Sequence, residues 1–263
     1  MKTLTTIFDR RSMGVALFLV IISTGGVAHA NNSWESYHWA RTANPFTLKL
    51  IDSVSAAWDP YLVEASNDWS QSSVLTTTIV AGSRKGVSSC LPTSGRVRVC
   101  NYQYGFNGWL GLAQIWITGG DHITQAVVKL NDTYFNTPTY NTPAWRHLVM
   151  CQEKGHTFGL DHQDENNYNP NLGTCMDYTA DPDGPPSNEH PNAHDYDQLE
   201  VIYNHRDSST TISAALPQGL RNGVADMNDW GEVIRRDGKG RPSAYRRHWD
   251  GGEKVFTFVF WAD

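Results

Sequence analysis

The chain has 263 residues, 40% of them hydrophobic, which supplies one substantial core with room for a small appendage. Its formal charge of −6 argues against a nucleic-acid partner. No apolar run reaches the roughly 20 residues that a membrane-spanning helix needs, so no span is expected in the mature chain. At the start, Lys2, Arg10 and Arg11 precede an apolar run from Met13 to Ile22, and Ala28, His29 and Ala30 offer small residues at a cleavage point. This pattern predicts a secretory signal over 1–30 and a secreted protein, extracellular or periplasmic, with a mature charge of −8 once the net +2 of the signal is lost.

Residues Phe46 to Asp52 alternate like a strand, and Ala56 to Ser70 carries Trp58, Leu62, Ala65 and Trp69 at helical spacing. Pro60 fits near the first turn of that helix, where its missing donor costs little. Strands are predicted over 74–80, 96–100, 111–118 and 123–130, with Gly119 and Gly120 marking a turn, which together make a twisted mixed sheet. The four cysteines all lie in the predicted mature chain, and an even count in a secreted protein points to disulfides. Cys90 and Cys100 flank Pro92, Gly95 and an alternating Arg-Val-Arg-Val stretch, as in a bridged hairpin. Cys151 with Cys175 is the second expected bond; the rival assignment makes Cys151 a metal-binding thiolate.

A helix is expected to begin at Asn141-Thr142-Pro143, with Thr142 as cap and Pro143 at the first position. It carries the most informative stretch of the chain, Gln152-Glu-Lys-Gly-His-Thr-Phe-Gly-Leu-Asp-His162. Gln152 and His156, four residues apart, project from one helix face, with Glu153 one step round. Gly159 permits a turn with positive φ that brings His162 back toward the same point. Three donors with an open position are what catalytic zinc requires, and Glu153 beside a metal-bound water is placed to act as general base in hydrolysis.

This stretch resembles the signature H-E-x-x-H-x-x-G-x-x-H of the metzincin clan of metallopeptidases, with Gln152 in place of the first histidine. Two more blocks strengthen the likeness: Thr174-Cys-Met-Asp-Tyr178 looks like the Met-turn, and His194 to Tyr203 is similar to the final helix of a matrixin catalytic domain. The resemblance covers about residues 45–205. It implies an α+β metzincin-like domain and a zinc endopeptidase acting on protein or peptide. Its metal ligands would be Gln152, His156 and His162, with Glu153 catalytic and 123–130 the sheet edge that receives an extended substrate. Tyr178 matches the tyrosine that approaches zinc in astacins and serralysins, as a further ligand or an oxyanion partner. An amide oxygen from Gln152 reaches the ligand position without moving the helix, but it is a poorer donor than imidazole.

Between His162 and Cys175 the run is polar and rich in turn residues. Its carboxylates offer calcium weak support, because their spacing fits no standard loop, and a solvated loop is expected. His147, His190, His194 and His205 read as surface or packing residues. The tail over 206–263 reads as a small antiparallel β extension, with strands over 230–236, 243–249 and 254–261, following a metallopeptidase-like domain over 31–205. Its Val255, Phe256, Phe258, Phe260 and Trp261 either dock on that domain or form a binding patch. Two functions are therefore expected to compete: an active secreted zinc endopeptidase, and a weakened peptidase-like protein that acts as a binding module.

Overall fold

The computed structural model describes residues 32–215, 229–249 and 252–263, and the predicted signal lies outside them. Alternation in β2 (Phe46–Ser53) buries Phe46, Leu48 and Leu50 on one face while Thr47 is exposed. Helix α1 (Asp59–Trp69) follows, later than the spacing predicts, because a turn closed by Trp58 N and Ser55 O comes first. Leu62, Ala65, Ser66 and Trp69 form its buried stripe, and Pro60 sits in its first turn. The other predicted strands are present as β3 (Leu75–Ala81), β4 (Val97–Tyr102), β5 (Trp109–Thr118) and β6 (His122–Asn131). A two-residue strand, β1 (His38–Trp39), precedes them, and a short helix, α2 (Asp132–Phe135), follows β6. Then come α3 (Pro143–Thr157), α4 (Ala193–Ile202), β7 (Glu232–Arg236), β8 (Pro242–His248) and β9 (Lys254–Trp261).

The strands make one mixed α+β sheet in the order β3-β2-β4-β6-β5-β9-β8-β7, with β1 alongside β6. The pairs from β3 to β6 are parallel, and those from β6 through β5 to β7 are antiparallel. Strand β6 is therefore internal, flanked by β4 and β5, which corrects the expectation that 123–130 form the sheet edge. Nor is β5 an edge, since β9 pairs along it from Trp109 to Ile117. The tail strands form the expected antiparallel ladder, and that ladder continues the main sheet. Val255, Phe256, Phe258 and Phe260 are all buried, so this stretch docks.

Helix α3 packs on β5, β6 and α1, and the main core gathers Trp39, Trp58, Trp69, Leu48, Val128 and Leu148 between helices and sheet. Among the described residues no helix is long and apolar enough to cross a membrane. Both expected disulfides are present, Cys90–Cys100 and Cys151–Cys175. The first joins a loop to β4 and closes no hairpin, because the neighbours of β4 are β2 and β6. The second ties α3 to the segment that carries Met176 and removes Cys151 as a metal thiolate.

Candidate metal centre

Helix α3 begins as its sequence predicts: the Thr142 hydroxyl accepts from Trp145 N at 3.3 Å, and Pro143 fills the first turn. Its last turns hold Gln152, Glu153 and His156, each at most 1% exposed. The helix ends where Phe158 N and Gly159 N bond to Gly155 O and His156 O. Gly159 has φ +95°, and a Cβ there would strike Tyr37 O, so only glycine allows the chain to turn back here. That reversal brings His162 to His156.

The two rings meet edge-on, with Nε2 to Nε2 at 2.9 Å. Their other nitrogens fix the tautomers. His156 Nδ1 lies 3.0 Å from Leu160 O, which can only accept. His162 Nδ1 lies 2.7 Å from Glu165 Oε1. Burial works to raise Glu165, but His162 and Arg235 outweigh it and hold the carboxyl below its ordinary range. Each Nδ1 therefore carries a proton, and the two Nε2 atoms point at one another. Two lone pairs at that distance repel unless a proton or a cation lies between them. Burial, reinforced by His162, pushes His156 well below the ordinary imidazole range. A divalent cation fits: two imidazoles on tetrahedral zinc stand roughly 3.3 Å apart.

Four more polar atoms on this turn lack partners. Both amide atoms of Gln152 and both carboxylate oxygens of Glu153 are buried without a hydrogen bond. Most buried polar groups in native proteins are satisfied, so such a cluster marks the place of a missing group. Burial drives the Glu153 carboxyl well above its usual range. Room for it comes from β5, where a Cβ on Gly111 would lie 2.9 Å from Glu153 Oε1. Beneath the helix, a Cβ at Gly155 would overlap Met176 Sδ, so the small residue lets the methionine seat against the turn. Met176 N is held by Thr174 Oγ1 at 3.0 Å, and Trp69 Nε1 bonds Cys151 O at 3.1 Å.

Tyr178 packs its ring 4.5 Å from that of His162, but its hydroxyl donates to Val259 O at 3.2 Å, and burial raises its pKa well above the ordinary phenol. The hydroxyl thus serves β9. The same strand stacks Phe258 flat on His156, with centroids 4.3 Å apart and planes 9° from parallel, and sets Phe260 5.1 Å from Tyr178. From β7, Arg235 ion-pairs with Asp161 and, at 3.5 Å, with Glu165. In the polar loop Asp164 accepts from Asn166 N and Asn169 Nδ2, so both its oxygens serve the loop itself.

Gln152, Glu153, His156 and His162 are thus buried at one helix end, and Tyr178 touches His162. Glu165 and Gly111 belong to the site without having been singled out by sequence, and Phe258 was singled out only as part of a docking or binding stretch. Asp161, Asp164 and Glu165 all follow or adjoin His162, and spacing alone does not choose between them. No protein-family model matches this chain, and no curated protein matches its sequence.

Proposed function

We propose that the chain is a secreted zinc-dependent endopeptidase of metzincin-like, matrixin-like design. The observation that carries this reading is the pair of imidazole Nε2 atoms facing one another at 2.9 Å in the protein interior. His156 and His162 would hold the ion, and the unpartnered Gln152 amide offers an oxygen as third donor. Zinc, when bound, supplies Lewis-acid polarisation of the scissile carbonyl and acidifies water. Glu153 takes the proton of the attacking water and passes it to the leaving amine; its carboxylate has no structural partner to hold it back. Leu160 O and Glu165 keep both imidazoles in the ligating tautomer. Two disulfides and the signal-like start support an oxidising, extracytoplasmic setting.

The competing reading, a peptidase-like binding module, is favoured by the pairing of β9 along β5 and by the weak third donor. An extended substrate along β5 has to displace β9, and Tyr178 has to leave Val259 before its hydroxyl can face an oxyanion. Zinc content of the mature protein, with casein hydrolysis measured with and without a chelator, separates the two. The enzyme requires bound zinc and chelator-sensitive cleavage. Absence of both would rule it out.

A further inference from the structure

A second group of imidazoles lies away from α3, assembled from three distant stretches of chain. Register between β1 and β6 sets His38 beside His122. The chain after α4 is drawn to the same place, because Asp207 N bonds Arg41 O at 2.9 Å and Arg41 N returns a bond to Asp207 Oδ2 at 3.0 Å. His205 and Asp207 thereby join the two histidines. Arg41 also donates Nη1 to Oδ2 at 3.0 Å, which leaves Oδ1 turned toward the rings.

Around Oδ1 stand three ring nitrogens: His122 Nε2 at 3.2 Å, His38 Nε2 at 3.3 Å and His205 Nε2 at 3.7 Å. His38 Nε2 and His205 Nε2 are 3.1 Å apart. His38 Nδ1 meets Ser36 O at 2.6 Å, which can only accept, so that nitrogen carries a proton. Donors on tetrahedral zinc, with bonds near 2.0–2.1 Å, stand roughly 3.3 Å from one another, and the separations among His38, His205 and Asp207, 3.1, 3.3 and 3.7 Å, straddle that value.

From this geometry we infer that His38, His205 and Asp207 form a second divalent-metal site, with His122 bonded to the carboxylate from outside it. Two imidazoles and one carboxylate suit zinc rather than calcium or magnesium, which prefer oxygen. An ion held by His38, His205 and Asp207 would staple the N-terminal strand to the segment beyond α4. Solvent reaches the site through His205 and His122, whose side chains are 46% and 31% exposed. Arg41 tempers the affinity by its charge but fixes the carboxylate.

The inference stands independently of the peptidase reading, and one experiment separates them. The mature chain is stripped with a chelator, reloaded with zinc, dialysed and assayed for metal by mass spectrometry. Two equivalents are expected in the parent and one in His156→Ala/His162→Ala. Adding His205→Ala to that pair should remove the remaining equivalent. Because His205 is half-exposed, His205→Ala alone in the parent should stay folded, lose one equivalent and lose part of the zinc-induced rise in Tm. Cobalt(II) in the His156→Ala/His162→Ala chain should give the intense visible absorption of a tetrahedral site. If that chain, folded by circular dichroism, retains no zinc, or if His205→Ala leaves the metal content unchanged, the second site does not exist. A parent holding one equivalent that depends on His205 and not on His156 supports the second site and removes the peptidase reading.

Discussion

Beneath β9, His156 and His162 face each other with a neutral amide as third candidate donor and an unpartnered carboxylate beside them. At the other imidazole cluster three rings surround an oxygen of Asp207, and of these His38 and His205 stand close enough to share an ion with it. The first arrangement holds an unpartnered carboxylate in the interior. The second is half open to solvent, and its carboxylate is already held by Arg41, His38 and His122. A catalytic site needs a group free to move a proton, so leftover groups separate the two roles more clearly than burial does.

Removing the base tests this contrast most severely. Glu153→Ala should lower peptide hydrolysis by about 10²–10⁴-fold while zinc content stays unchanged. Its carboxylate is buried without a partner, so the same substitution should leave the unfolding midpoint equal or higher. A lowered midpoint with intact turnover would make Glu153 a structural residue. Next in size is Phe258→Ala. Phe258 is fully buried against His156, and its truncation should cost about 3–5 kcal/mol in denaturant unfolding. Losing the ring that covers the imidazole should also speed cleavage by the surviving folded fraction. Slower cleavage per folded molecule would show that β9 builds the site instead of covering it.

How far these features could be read from sequence depends on whether their signal is local. Strand and helix positions follow from alternation, caps and turn residues, which act over a few residues; Thr142 at the start of α3 and Gly159 at its end are instances. The Cys151–Cys175 bond was also legible, from compartment and count. Strand order was not, because alternation shows which face is buried and not which strand lies alongside. One clue existed: Val255 to Phe260 is apolar at nearly every position, as suits a strand buried on both faces in mid-sheet, and β9 lies between β5 and β8. The His156 and His162 pair was visible because one helix end sets both rings. The second cluster draws His38 from β1, His122 from β6 and His205 with Asp207 from the chain beyond α4, so no spacing betrays it, and His205 read as a surface or packing residue.

Gln152→His sharpens the contrast by moving the α3 site toward saturation. Replacing an amide oxygen with imidazole should tighten zinc binding by about 10–100-fold, measured by competition with a chromogenic chelator. The affinity of the His205-dependent site should not move. An unchanged α3 affinity would mean that the Gln152 side chain never reaches the ion.

The smallest expected effect concerns the second cluster without metal. Burial works to raise the Asp207 carboxyl, but the Arg41 backbone N–H, His38 and His122 outweigh it and hold it at about 2, against an ordinary 3.8. A depressed folded value means that the carboxylate stabilises the fold above the unfolded pKa and that this contribution disappears as pH falls from about 3.8 through about 2. Part of the group faces solvent, so screening reduces the contribution to about 1 kcal/mol. In chelator-treated protein, the stability gap between parent and Asp207→Asn should therefore be open at pH 5 and closed near pH 2. A gap that persists at pH 2 would assign Asp207 a role in packing and not in charge, and would weaken the case that its oxygen is held ready for a cation.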